Sequence, residues 1–307
     1  MVGKRKSGRD INGILLLDKP TGVGSNRVLQ ASKRLFSANK AGHTGSLDPL
    51  ATGLLPICLG NATRFAEYFL HTDKHYLATL KLGVTTDTLD SDGTVTSTSD
   101  VDVSQRNVDA ELAAFRGKIN QTPPMFSALK QDGKPLYKLA RAGKQVERAA
   151  RQMEVYELSA ELIEPDVLQV EVKSSGGFYV RQLASDLGEA LGCGAHITTL
   201  RRMGVRELKV QDAVTLDTLN AMTPEERDEL LYNSDLAVNP LPELVVTNEQ
   251  AVGLLHGRKL KTDLPVVAGL VRAYTDSRIF LGVIYWSEEG LLKPRKMFAE
   301  HADLGFS

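Results

Sequence analysis

The segment His43-Thr44-Gly45-Ser46-Leu47-Asp48-Pro49-Leu50-Ala51-Thr52-Gly53 stands between two apolar runs, 14–17 and 54–59, both too short for ordinary helices. Each run is bounded by turn chemistry, Asp18-Lys19-Pro20-Thr21-Gly22 after the first and the glycine-punctuated segment before the second, so both read as short buried strands. The loop between them carries one carboxylate, Asp48. An Asp before Pro is ordinarily a turn former whose side chain bonds a nearby amide. The other reading is a reactive carboxylate displayed by a tight loop and kept from water by Leu47, Leu50, Leu54 and Leu55. The loop by itself leaves both open.

The rest of the chain interleaves strand and helix patterns without a regular period. Ser25 is placed to cap a helix reaching about residue 36, with Val28, Leu29, Ala31, Ser32 and Leu35 inward. A helix is expected over 62–70. Residues 74–83, KHYLATLKLG, alternate as a strand with Tyr76, Ala78, Leu80 and Leu82 on one face. Ser104 begins a helix to about 115, 123–129 reads as a strand, and Gln131-Asp132-Gly133 leads into a basic helix over 135–142 that Gly143 stops. Residues 154–162 and 167–174 form a hairpin around Glu164-Pro165-Asp166, and Ser175-Gly176-Gly177 opens a helix over 180–191. This order predicts an α+β fold, a mixed, largely antiparallel sheet with flanking helices. Helices over 216–222 and 224–231 precede Asn239-Pro240-Leu241-Pro242, read as a linker. Beyond it, short strands at 266–268, 270–274, 279–286 and 291–298 predict a small β-barrel, giving units 1–240 and 241–307.

Composition narrows the chemistry. The chain has 307 residues, 42% of them hydrophobic, enough for about two domains with real cores. Cys58 and Cys193 are the only cysteines, which points to a reducing compartment. The basic N-terminus leads to an apolar run too short for a secretory signal, and no stretch approaches a membrane span, so a cytoplasmic protein is expected. Gly22-Val23-Gly24 lacks the third glycine of a dinucleotide loop and no Walker sequence occurs. His71 and His75 have no metalloprotease pattern around them, Cys193 and His196 supply only two ligands, and no nucleophile elbow is present. Neither a nucleotide cofactor nor a metal is expected.

A net charge of −1 argues against coating nucleic acid by bulk attraction, but the charge is uneven. Seven basic residues face two acidic ones between Ser127 and Arg151, and Lys4, Arg5, Lys6 and Arg9 add to the N-terminus. Lys130, Lys134, Lys138 and Arg141 make either a solvated face or a track for phosphates. Tyr76 is either core or a platform on which a base stacks. Arg181 is either a surface ion pair or, if buried beside Asp48, the charge that keeps that carboxylate ionised. Asp90 and Asp92, in an acidic turn, read as solvated.

Three ordered blocks carry a resemblance: Leu15-Leu16-Leu17-Asp18-Lys19-Pro20-Thr21-Gly22, then Ala41-Gly42-His43 through Leu54-Leu55-Pro56, then Ser175-Gly176-Gly177-Phe178-Tyr179-Val180-Arg181. With Tyr76 between them and Leu200-Arg201-Arg202 after them, they closely resemble the TruB family of tRNA pseudouridine synthases, bacterial type, over about 11–210. The β-rich end resembles the PUA-like RNA-binding domain of bacterial members. The resemblance implies the pseudouridine synthase fold and a cofactor-free isomerisation of uridine 55 in the T loop of tRNA, flipped out for reaction. It implies Asp48 as nucleophile, Arg181 as its partner, Tyr76 stacked on the base and assisting loss of the C5 proton, Tyr179 and Leu200 lining the uracil pocket, and His43 holding the extruded loop. Lys19-Pro20 would support the fold behind the site. Attack at C6 and attack at C1′ both stay open. One departure is Gly177-Phe178-Tyr179 where members often have Gly-Thr-Tyr. A monomer acting on tRNA without an obligatory protein partner or membrane is expected, the alternative being a tRNA-folding chaperone in which catalysis is secondary.

Overall fold

The two apolar runs pair with each other. A computed structural model describes residues 8–131, 133–262, 265 and 267–298. In it Gly13–Lys19 lies antiparallel to Thr52–Leu59, with Leu15 opposite Ile57 and Lys19 opposite Gly53. Both strands are buried on both faces, which explains near-continuous apolar runs in place of alternation. Leu15 and Leu17 enter the main core, whereas Ile14 and Leu16 enter a second core on the opposite face.

These strands end a nine-stranded mixed sheet in the order Gly13–Lys19, Thr52–Leu59, Ala195–Val205, Lys74–Leu82, Val167–Ser174, Arg151–Glu164, Gly117–Gln121. Ala41–His43 and Leu208–Lys209 add to it at the side. Neighbours are antiparallel except Thr52–Leu59 and Ala195–Val205, which meet in parallel at Arg201 opposite Thr52 and Arg202 opposite Gly53. The α+β expectation and the 154–174 hairpin are observed.

The central strand Ala195–Val205 is absent from the sequence reading. Its Thr198, Thr199, Arg201 and Arg202 break the apolar alternation, yet Arg202 is 1% exposed. Parallel pairing beside it requires Gly53, which sits at φ +100° with its Cα against the Arg202 backbone; a Cβ there would lie 2.3 Å from the Arg202 carbonyl oxygen.

Other expectations change. Residues 122–129 form an irregular loop, because Pro123 and Pro124 have no N–H to give a ladder. The 62–70 helix is a 3-10 turn Gly60–Phe65 followed by the α-helix Glu67–Leu70. Helix Ser25–Leu35 starts after Gly24 without a side-chain cap; the Ser25 hydroxyl instead donates to the Leu47 carbonyl at 2.9 Å and accepts from the Leu47 N–H at 2.8 Å. Ser104, in contrast, does cap Gln105–Leu112 in a capping box with Asn107.

The C-terminal strands form a separate five-stranded sheet, Glu243–Val246, Gly269–Thr275, Phe280–Trp286, Leu291–Met297, Leu260–Lys261. Among the described residues its two end strands do not pair, so it is a curled half-barrel and no closed barrel is formed. The strand Glu243–Val246 and helix Asn248–Leu255, both unforeseen, complete its core, and Val267 and Ala268 belong to no strand. Within 239–242 the prolines are exposed, but Leu241, with the preceding Val238, shares a cluster with Phe65, Phe69, Phe280 and Val283. Lys4, Arg5, Lys6, Asp132 and Val266 lie outside the described residues. No described helix is long and apolar enough to cross a membrane.

Gly53→Ala is expected to destabilise the protein by roughly 3 kcal/mol, since a strained φ and a backbone collision coincide; urea denaturation reads this as a lower midpoint.

Candidate active site

The Asp48 loop is held by its backbone. The carbonyls of Gly45, Leu47, Pro49 and Leu50 accept from Arg202 Nη2 at 3.3 Å, Ser25 Oγ at 2.9 Å, Lys19 Nζ at 3.2 Å and Thr21 Oγ1 at 2.9 Å. The Gly22 N–H also donates to the Pro49 carbonyl at 2.8 Å, and Arg202 Nε donates to Leu54 O at 2.7 Å just beyond the loop. With the main chain so fixed, the Asp48 side chain accepts no hydrogen bond from a local amide. The turn-former reading therefore fails, and the carboxylate is free for another partner.

That partner is Arg181, the second residue of helix Val180–Ala190. Its Nε lies 2.9 Å from Asp48 Oδ2. The Arg181 side chain is 6% exposed while that of Asp48 is 40% exposed, so the pair is buried from the arginine side and open from the carboxylate side. Arg181 Nη1 donates to Thr88 O at 2.9 Å, and Nη2 to Phe126 O at 2.7 Å. Nη1 also stands 3.5 Å from Asp90 Oδ2.

Asp90 corrects the sequence reading. It is 4% exposed, far from solvated, and its Oδ1 accepts from Thr88 Oγ1 at 2.5 Å and the Asp92 N–H at 3.2 Å. One guanidinium thus faces two carboxylates, one sealed and one accessible. Burial pushes the Asp48 carboxyl above its ordinary 3.8; Arg181 and Lys19 pull it down, and Asp90 pushes it further up.

The remaining candidate residues gather on the same side of the sheet. Tyr76, half-buried in Lys74–Leu82, and Leu200, 7% exposed in Ala195–Val205, pack into the core that also holds Leu47 and Leu50. Tyr179 is half-buried at the N-cap of the Arg181 helix. His43 ends Ala41–His43; its Nδ1 is buried with no hydrogen-bond partner, and burial, with Arg202 nearby, lowers its pKa.

This arrangement matches a known family along the chain. The TruB family pseudouridylate synthase N-terminal domain matches residues 33–180, the tRNA pseudouridylate synthase B C-terminal domain 181–252, and the pseudouridine synthase II TruB C-terminal model 242–298. The chain is 46% identical to tRNA pseudouridine synthase B of Pasteurella multocida over 98% of its own length and 100% of that protein. With the enzyme of that name from Vibrio cholerae it shares 46% identity over 96% and 98%. It belongs to the TruB family.

The chain is accordingly a pseudouridine synthase, an isomerase. Solved structures of more distant proteins agree on the TruB fold alone. A Cbf5-Nop10-Gar1 complex gives a TM-score of 0.72 at 24% identity, covering 95% of this chain and 86% of that one. An archaeal Nop10-Cbf5 complex gives 0.73 at 23%, covering 99% and 94%.

In this TruB chain the four basic candidates lie to one side of the ion pair. Lys130 and Lys134 are on the small hairpin Lys130–Gln131/Lys134–Pro135, and Lys138 and Arg141 on helix Leu136–Arg141. All four are exposed and none pairs with a carboxylate among the described residues, though Arg141 stacks 5.8 Å from the Tyr137 ring centroid. The hairpin and helix hang from the Arg181 contact: Ser127 O accepts from the Tyr137 N–H at 3.0 Å, one residue after Phe126. Phe178 is 7% exposed within the main core, so its bulk lies behind Tyr179. Among residues the sequence reading missed, Asp90 left no signal beyond its place in an acidic turn. Arg202 had one, an arginine in a block that otherwise reads as site.

Lys19 is fully buried, and its Nζ donates to Pro20 O at 2.7 Å as well as to Pro49. Burial lowers its pKa to about 8, with Asp48 opposing and Arg202 reinforcing. Between about 8 and the ordinary 10.5, the unfolded chain binds a proton the folded chain has released, so this lysine's contribution to stability rises with pH. The stability of the wild type relative to Lys19→Met is expected to increase across that window by less than about 1.4 kcal/mol per pH unit, measured by urea denaturation at several pH values.

Proposed function

We propose that this chain converts uridine 55 in the T loop of tRNA to pseudouridine, with Asp48 as nucleophile and no cofactor. The observation that carries the reading is the half-open ion pair: a carboxylate 40% exposed on the substrate side and bonded at 2.9 Å to an arginine sealed behind it. The names of the close relatives supply tRNA as substrate.

In the isomerisation the N1–C1′ bond breaks, the uracil turns, and a C5–C1′ bond forms; C5 loses its proton and N1 gains one. Asp48, ionised, adds to C1′ or C6 and leaves again, so it is regenerated. Arg181 holds the carboxylate in line and stabilises its charge, and Asp90 keeps Arg181 from following Asp48 as the latter moves onto substrate. Tyr76 stacks on the base, and its hydroxyl helps the C5 proton leave. Tyr179 and Leu200 wall the uracil, and the unpartnered Nδ1 of His43, held neutral by its lowered pKa, is an atom the extruded T loop would satisfy. Lys130, Lys134, Lys138 and Arg141 contact phosphates. Residues 1–240 act as the catalytic unit and 241–307 as an RNA-binding one, in a cytoplasmic monomer with no obligatory protein partner.

The test is tritium release from C5-labelled uridine in unmodified tRNA. Release is expected from the wild type, and none from Asp48→Asn or with a transcript carrying cytidine at the target. The acid limb of the rate should lie above pH 3.8, because the Asp48 carboxyl is raised. Binding of tRNA without release would replace the enzyme by the chaperone. A second measurement concerns the basic residues: replacing all four by Ala should weaken tRNA binding and flatten the slope of log affinity against log salt by about 3, whereas an unchanged slope would remove them from the interface.

A further inference from the structure

Helix Val180–Ala190 starts in an unusual way. Its N-cap residue is Tyr179, whose side chain makes no capping bond. Just before it, Gly177 sits at φ +92° with open space around it, while Gly176 packs against the His71 backbone. The entry is fixed instead from outside by Gln121, the last residue of the edge strand Gly117–Gln121. Its Oε1 accepts from the Tyr179 N–H at 2.8 Å and its Nε2 donates to the Tyr179 carbonyl at 3.0 Å, with the residue 2% exposed. A side-chain amide is bonded to both backbone groups of one residue, as a neighbouring strand would be. Directly after Gln121 begins the loop whose Phe126 carbonyl holds Arg181.

We propose that Gln121 is a positioning residue for pseudouridine formation, fixing the backbone of Tyr179 and, two residues on, the approach of Arg181 to Asp48. It touches neither the reacting atoms nor RNA. Its effect therefore falls on the chemical step, through the poses of an aromatic wall and a guanidinium, and leaves tRNA affinity unaltered. The inference rests on the assignment of Asp48, Arg181 and Tyr179 to the site above.

The experiment is single-turnover tritium release with saturating enzyme, alongside tRNA binding and thermal melting, on the full chain. Gln121→Ala is expected to slow release by about 10²-fold, the scale of a misplacement near 1 Å, while tRNA Kd stays within about threefold. Gln121→Glu keeps an acceptor for the Tyr179 N–H but loses the donor to its carbonyl, and its rate should fall between the two. Val238→Ala, in the second core on the opposite face of the sheet, provides a stability loss away from the Arg181 helix. A wild-type rate in Gln121→Ala, or an equal rate loss in Val238→Ala at an equal drop in Tm, would overturn the proposal. If Gln121→Ala does not fold, Gln121→Glu decides: a wild-type rate in that variant overturns it as well. Failure of the wild type to release tritium would instead strike the assignment of the site itself.

Discussion

A guanidinium as buried as that of Arg181 is tolerable only if acceptors surround it, because stripping it of water without replacement costs several kcal/mol. Here they come from three distant stretches: the Asp48 carboxylate, the Thr88 carbonyl with Asp90, and the Phe126 carbonyl. None of the three is regular secondary structure. Arg181 is therefore the point at which three separately held loops meet, the Asp48 loop fixed by Lys19, Ser25 and Arg202 and the 89–91 stretch by backbone bonds to Ile197. Of the two carboxylates Asp48 is the one that faces solvent, and the other acceptors keep Arg181 satisfied when Asp48 engages something else.

The same logic explains the cations under the loop. Lys19 and Arg202 are fully or almost fully buried, and both donate to backbone carbonyls of the loop or the strand that follows it. Carbonyl dipoles that would otherwise be orphaned by the tight turn are satisfied by side chains from Gly13–Lys19 and Ala195–Val205, the strands on either side of Thr52–Leu59. The loop conformation is thereby made a property of the sheet. A carboxylate on such a loop is displayed without the freedom to fold back on its own amides.

How much of this was legible in the sequence follows from the kind of signal involved. The strands 13–19, 52–59, 74–82 and the 151–174 hairpin were readable, because burial writes itself as apolar runs or alternation. The central strand Ala195–Val205 was not, because its buried members include an arginine whose partners are backbone carbonyls that no pattern encodes. Ser25 looked like a cap because a serine before an amphipathic run usually is one; its hydroxyl was instead taken by Leu47, a tertiary contact. Asp48 and Arg181 were legible through their motifs, and their contact is observed. Asp90 and Gln121 were not, since their place is set by how loops fold over Arg181 and Tyr179.

The chain as a whole is nearly neutral, so attraction at long range is weak. The exposed and unpaired lysines and arginines are nonetheless placed on one small hairpin and helix, joined through Ser127 and Phe126 to the arginine behind Asp48. A polyanion held there lies against the segment that positions Arg181, so a shift in the 126–137 stretch on binding would be felt at the ion pair. Sparse local charge coupled to a site, in place of a uniformly basic face, favours a ligand whose shape fits over one whose charge merely sticks.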